Sequence, residues 1–388
     1  MHHSITLRIV RWYLVATCLA TPALPTLYAQ GASAAAPRPP ARTVPDSIAD
    51  FAALVARLSD AGGYFDTDNL ISNERGYQQV LGAMDRLKVG GGAFIGVGPD
   101  QSYTYIAQLR PRIAFLADIR RDNMLQHLLF KALFARAGNR AEYLALWTGR
   151  PVPTNAAARR DQSINALVAW IDSTPATPAS RRDALAAVRA AVGASGIPLS
   201  AQDLATIGRF HDAFIASGLS LRFTSVGRAP QPHYPTLRQL LLEHDAEGRQ
   251  RNYLASERDF QFLKSMHRRN LIVPVTGDLA GSRTLPGIAQ YLREHGERVS
   301  ALYVSNVEDY LIRDGRFPAY VTAVKALPRD TNAVIIRSWF GGGGHPESTD
   351  EYYATQLLQR MDTFVADSGA PRVGRYRELV LRNWVPLR

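Results

Sequence analysis

Cysteine is almost missing from this chain: Cys18 is the single one in 388 residues. An internal disulfide framework and cysteine-ligated zinc are thereby excluded. Lysine is nearly as scarce, confined to Lys88, Lys131, Lys264 and Lys325. The formal net charge of +11 therefore rests on arginines, which are spread along the sequence. The densest basic spots, Arg120-Arg121 and Arg268-Arg269, are not interleaved with aromatics, so no nucleic-acid partner is expected. There is no His-Glu-x-x-His and no histidine pair at i, i+4 spacing, so no metal site is expected. No Gly-x-Ser-x-Gly elbow is present, and Lys88 precedes the nearby glycines instead of following them, which excludes a Walker lysine.

Long hydrophobic runs are also lacking. The apolar stretch Trp12 to Ala20 is too short to span a membrane. With Arg8 and Arg11 before it and Leu27-Tyr28-Ala29 after it, residues 1–29 read as a Sec-type signal peptide, which predicts a periplasmic or secreted protein. The Ala- and Pro-rich residues 30–45 read as a disordered linker. Residues 46–388 then form a single domain, with N-terminal helices over 46–90 and a helical insertion at about 138–217. An apolar fraction of 46% and a charged fraction of 20% are those of a globular chain.

The most informative stretch is 93–118. An apolar strand, Ala93 to Val97, runs into Gly96-Val97-Gly98. A helix-like run from Gln101 to Arg110 follows, and a second apolar strand, Ile113 to Ala117, ends in Asp118. This is the order of parts in a nucleotide-binding βαβ unit. Glycine at the turn admits close approach of a ligand, and a carboxylate after the second strand can accept ribose hydroxyls. The spacing marks Gly96, Gly98, Gln101, Asp118, Ile119 and Arg120 as cofactor-binding candidates, although Gln101 stands where a dinucleotide fingerprint has its third glycine. Further strands are expected at 219–226, 271–276, 299–304, 333–338 and 376–384, and helices at 77–87, 236–244, 256–268, 284–294, 317–327 and 351–367. Strands alternating with helices predict an α/β, doubly wound, mostly parallel Rossmann-like sheet whose strand ends face one crevice.

The ends of the later strands add Asp278 and Asn306 to that crevice, and the polar segment 66–77 adds Asp68, Asn69, Asn73, Glu74 and Tyr77, as a lid or as a loop of Asx turns. His127 reads as a packed core histidine outside the ribose contact.

Phe65 to Tyr77, Gly90 to Phe134, Leu254 to Phe260, Asn270 to Gly281 and Leu302 to Leu311 resemble an uncharacterised bacterial family known from leptospiral LIC_10091-like proteins, whose fold is similar to class I S-adenosylmethionine-dependent methyltransferases. The resemblance implies a seven-stranded sheet with a final antiparallel strand, Gly96 and Gly98 under the methionine part of S-adenosylmethionine, and Asp118 at the ribose. Glu74, Tyr77 and Asp278 are then the candidates to position a methyl acceptor or take its proton. Two functions are expected as alternatives: a methyltransferase-like protein of undetermined acceptor, active or not, and an exported non-catalytic protein that binds another small ligand in the same crevice.

Overall fold

The computed structural model describes residues 43–388 except Asp68, Pro230, Gly342 and 368–373. The signal peptide, Cys18 and most of the linker expected from the sequence lie outside the described residues, as does Asp68.

Five short apolar runs form the centre: β1 (Ala93–Gly96), β2 (Ile113–Asp118), β3 (Ile272–Thr276), β4 (Val299–Ser305) and β5 (Arg329–Phe340). Strands covered on both faces by helices need apolar residues at consecutive positions, not alternate ones. Accordingly β1, β3 and nearly all of β2 and β4 are buried residue after residue. Two more strands, β6 (Ala354–Arg360) and β7 (Trp384–Val385), complete a seven-stranded sheet of order β3-β2-β1-β4-β5-β6-β7. β1 to β5 are parallel, and β6 and β7 are antiparallel to their neighbours. β1 and β2 pair in register from Ala93 with Ile113 to Gly96 with Leu116, as the sequence predicts. The chain winds from β1 outward to β3, then returns to β4 on the other side. The switch between β1 and β4 opens a crevice at the carboxyl ends of the strands.

Helix Arg121–Arg136 lies between the sheet and the helices that follow it, so it is buried almost all round. Those following helices, Arg140–Trp147, Ile164–Ser173, Pro178–Val192 and Ala201–Ser217, occupy the expected insertion. Their starts are fixed by side chains: Asn139 accepts from the Glu142 amide, and Thr177/Ser180 and Ser200/Asp203 form reciprocal caps. No helix among the described residues is long and apolar enough to cross a membrane.

Three sequence expectations fail. Residues 219–226 are not a strand; a 3-10 turn at Gly218–Ser220 is followed by a single bridge from Arg222 to Thr236. This stretch divides its backbone bonds between two loops: Val226 N–H donates to Asp66 O (2.6 Å) and Thr67 Oγ1 to Thr224 O (2.6 Å), while Phe223 N–H donates to Pro235 O (3.2 Å) and Leu237 N–H to Leu221 O (2.8 Å). The predicted helix 351–367 begins only at Met361, because 354–360 pairs with β5 over seven registered positions. Sheet pairing there overrides the helix propensity of Leu357-Leu358. Finally, the predicted terminal strand 376–384 starts as a helix, Tyr376–Val380, and only Trp384–Val385 joins the sheet.

Candidate functional site

A cavity of about 390 Å³ sits over the ends of β1 to β4. β1 contributes Val97, Gly98 and Pro99; β2 contributes Ala117, Asp118 and Ile119; β3 is followed by Gly277, Asp278 and Leu279. β4 and the helix after it, Val307–Arg313, supply Tyr303, Ser305, Asn306 and Tyr310. The segment 64–74 closes the remaining side with Tyr64, Phe65, Asn69, Asn73 and Glu74 among others. The structure thus brings Gly98, Asp118, Ile119, Asp278, Asn306, Asn69, Asn73 and Glu74 together from positions far apart in sequence.

Gly96, Gln101, Arg120 and Tyr77 are not in the lining. A methyl group at Gly96 would lie 2.6 Å from the Phe94 ring and 2.9 Å from Ser102 Oγ, so this glycine serves packing. Gln101 is buried and donates to Glu74 (2.9 Å) and Tyr303 Oη (3.1 Å). Tyr77 is buried elsewhere; its hydroxyl donates to Leu240 O (3.1 Å) and accepts from Asn252 Nδ2 (2.8 Å). Burial holds that phenol well above its ordinary range.

Gly98 is the glycine whose conformation the site needs. Its φ is +75°, in the region where a side chain is strained, and a Cβ there would meet no protein atom within 4 Å. The cavity fills that space. His127 fixes the turn from behind: its Nε2 lies 3.0 Å from Gly98 O and its Nδ1 2.9 Å from Tyr103 Oη. A carbonyl only accepts, so Nε2 carries the proton and Nδ1 accepts from the tyrosine. Burial pushes the His127 ring down to about 4, against the pull of the Gly98 carbonyl, and it stays neutral. His127 is a core residue, as expected, yet it is not remote from the site. We expect His127→Ala to leave two buried polar groups unpaired and lower stability by roughly 2–5 kcal/mol. The measurement is urea unfolding at pH 7, with His127→Gln recovering part of the loss; equal stability of His127→Ala and wild type would remove this role.

Glu74 forms the second node. It is 1% exposed, and its carboxylate accepts from Tyr303 Oη (2.7 Å), Gln101 Nε2 (2.9 Å), Gln356 Nε2 (2.7 Å) and the Ser305 hydroxyl. All four donors are neutral. They tie the 64–74 segment to the start of helix Gln101–Leu109, to β4 and to β6. Ser305 is held at φ +50°, a conformation rare for serine, where β4 turns into the cavity wall. The sequence gives no sign of Gln356, because its strand reads as helix; Tyr303 was hidden within an apolar run.

Asp118 accepts through Oδ1 from Arg120 N–H (2.9 Å) and Nε (3.3 Å), while Oδ2 has only a 3.4 Å contact from Arg120 Nη2. Asp278 accepts from Ala280 N–H (2.8 Å) and pairs with Arg316, and Asp66 pairs with Arg228. The lining thus holds five carboxylates, those of Asp66, Glu74, Asp118, Asp278 and Asp314, and one guanidinium, that of Arg316; three of the five are paired with arginines, Asp66 with Arg228, Asp118 with Arg120 and Asp278 with Arg316. A phosphate would find poor support here. Pro99 lacks an N–H where a phosphate-binding turn offers one, and the lining's one guanidinium is already paired with Asp278. Among the described residues, no group of three or more His, Cys, Asp or Glu could hold a metal ion.

The core of this arrangement coincides with a family match over residues 69–165 and 228–383, described as a domain of unknown function, DUF7790. The chain belongs to that family. No curated protein matches it. Glu74, Gly98, Asp118, Asp278, Tyr303 and Gln356 all fall in the matched segments, whereas most of the helical insertion, residues 166–227, falls between them.

Proposed function

We propose that the crevice binds S-adenosylmethionine or its demethylated product, and that the chain is methyltransferase-like. The observation that carries this is the pairing of Gly98, open to the cavity at the end of β1, with Asp118 at the end of β2, inside an acid-rich crevice at the switch point of the sheet. A cavity of this size suits a nucleoside. The lining's one guanidinium, Arg316, is already paired with Asp278, so a pyrophosphate would meet no free cation there, which favours S-adenosylmethionine over a dinucleotide. Asp118 Oδ2 is the oxygen with acceptor capacity left for ribose hydroxyls, Oδ1 being taken by Arg120. Gly98 leaves room for the methionine portion. Methyl transfer depends mainly on alignment of nucleophile and methyl, and Asp278, held by Arg316 after β3, is the candidate to position an acceptor. Glu74, its oxygens covered by four neutral donors, acts as the scaffold of the wall.

One observation favours the alternative of an exported ligand-binding protein. Glu74 is saturated, and Asp278 and Asp118 are paired with arginines, so the strand ends carry no unencumbered base.

Calorimetric titration of the full chain with S-adenosylmethionine, S-adenosylhomocysteine and NAD tests the proposal. Binding of the first two and not the third is expected. Asp118→Ala should weaken it roughly ten- to a hundredfold, the worth of one lost hydrogen bond to a charged group. Gly98→Val should abolish it, since the new side chain projects into the cavity. Matched thermal melts separate lost binding from lost folding. No binding by a folded wild type sinks the methyltransferase reading and leaves the binding-protein one; undiminished binding by Asp118→Ala sinks the site assignment.

A further inference from the structure

A second cavity, of about 360 Å³, adjoins the crevice and shares with it Phe65, Asp66, Asn69, Asn73, Ser305, Asn306 and Tyr310. Its far wall is an arc of five rings. Phe223 meets Tyr234 edge-on (centroids 4.8 Å apart), Tyr234 meets His233 (4.8 Å), His233 stacks on Tyr353 (3.7 Å, planes 20° apart), and Tyr353 faces Phe340 (6.4 Å). The shared edge mixes rings with amides: Phe65 and Tyr310 meet edge-on (centroids 5.1 Å apart) beside Asn69, Asn73 and Asn306. No hydrogen bond to a described residue involves the side-chain amide of Asn69 or of Asn73, and both residues are partly buried. Asn69 and Ser305 are both held at positive φ, 52° and 50°. Strain of this kind persists where the surrounding structure fixes it, and it clusters at ligand sites.

Charge limits what can enter. The guanidinium and carboxylate in the second cavity, Arg228 and Asp66, pair with each other. Desolvation lowers the His233 ring below its ordinary range, so it adds no positive charge near neutrality. Net charge on a ligand would go unanswered, whereas a flat π face matches the arc.

We propose that this cavity is a binding site for a neutral, planar aromatic ring bearing a hydroxyl or ring N–H, with the ring against the arc and its polar group turned to Asn69 and Asn73 beside the crevice. The site goes beyond the nucleoside reading and stands whether or not the crevice takes S-adenosylmethionine. Phe223 and Ser225 of its wall lie between the two segments that the family match covers.

Saturation-transfer NMR on the full chain, with phenol, indole, cyclohexanol, benzoate and benzylamine as probes, decides the matter. Phenol and indole should bind, and cyclohexanol, of similar size but not flat, should bind more weakly, as should both charged rings. Tyr353→Ala and His233→Ala, at positions not fully buried, should each weaken phenol binding roughly three- to tenfold. Gly98→Val, which fills the first cavity only and whose folding a matched thermal melt checks because a side chain is strained at this φ, should leave phenol binding unchanged when folded. The proposal is overturned if cyclohexanol or benzoate binds as well as phenol, if both arc variants bind phenol like wild type, or if Gly98→Val abolishes phenol binding, which would place the ring in the crevice. Because the probes include no nucleoside, failure here leaves the calorimetry unaffected, and the reverse also holds.

Discussion

Replacing Arg337 by Met should destabilise the fold by about 3–5 kcal/mol. Arg337, on β5, is 2% exposed, and Glu308, on the helix after β4, is fully buried. The guanidinium grips both carboxylate oxygens of Glu308, one at 3.1 Å, and donates to Gln359 Oε1 at 2.7 Å. Its plane also lies 5.1 Å from the Phe364 ring centre. Removing one partner of such a pair leaves a charge with neither water nor a counterion, which costs that amount. The double replacement Glu308→Leu with Arg337→Met removes both charges, so it should recover much of the loss. Urea unfolding of the wild type, the single variant and the double variant measures both steps. A single variant within 1 kcal/mol of wild type would show that the pair is not the anchor described. The pair matters for the site because it fixes the helix that carries Val307, Tyr310 and Leu311 into the crevice wall.

Asp100→Asn should have nearly as large an effect, of opposite sign. Asp100 opens the helix behind the Gly98 turn and accepts from Tyr253 Oη at 3.1 Å, with no cation beside it. Burial pushes its carboxyl up to about 7. The folded chain thus holds a proton between pH 4 and 7 that the unfolded chain has released, so this group's contribution to stability falls as pH rises through that window. At about 1.4 kcal/mol per pH unit the penalty approaches ~4 kcal/mol above pH 7. Asparagine keeps an acceptor for Tyr253 and carries no charge. We expect a gain of about 2–4 kcal/mol at pH 8 and little at pH 4. His127 works in the other direction: depressed to about 4, it remains neutral in the fold while the unfolded chain takes up a proton, so stability falls as pH drops from 6.5 to 4. The two groups offset each other between pH 4.5 and 6.5. His211 and His267, also depressed by burial, add to the His127 slope, so unfolding free energies of wild type should still rise with pH there, and those of Asp100→Asn should rise more steeply, by about 1.4 kcal/mol per pH unit. Parallel pH profiles for the two proteins would refute the assignment.

The parallel half of the sheet was legible in the sequence, and so was the crevice at its edge. Ala93–Gly96, Ile113–Asp118, Ile272–Thr276 and Val299–Ser305 are continuous apolar runs ended by small or polar residues. A strand buried on both faces leaves that pattern locally, and parallel crossovers carry the polar ends to one side. Asp118, Asp278 and Asn306 could therefore be placed at the crevice before any coordinates. The antiparallel edge could not. Ala354–Arg360 has no strand pattern of its own and is a strand only because β5 offers it partners.

What the sequence determined by itself is what depends on neighbours a few residues apart: the burial of the central strands, the helices between them, and the glycine turn ahead of Asp118. Only the tertiary structure decided the rest. The donors to Glu74 come from residues 27, 229, 231 and 282 positions away. His127 reaches the Gly98 carbonyl across 29, and the ring arc joins 223–234 to 340–353. A polar residue in a sequence shows only that it needs partners. Which partners meet it is fixed when the apolar runs pack and exclude water, because a buried polar group must then be satisfied by whatever the fold brings beside it.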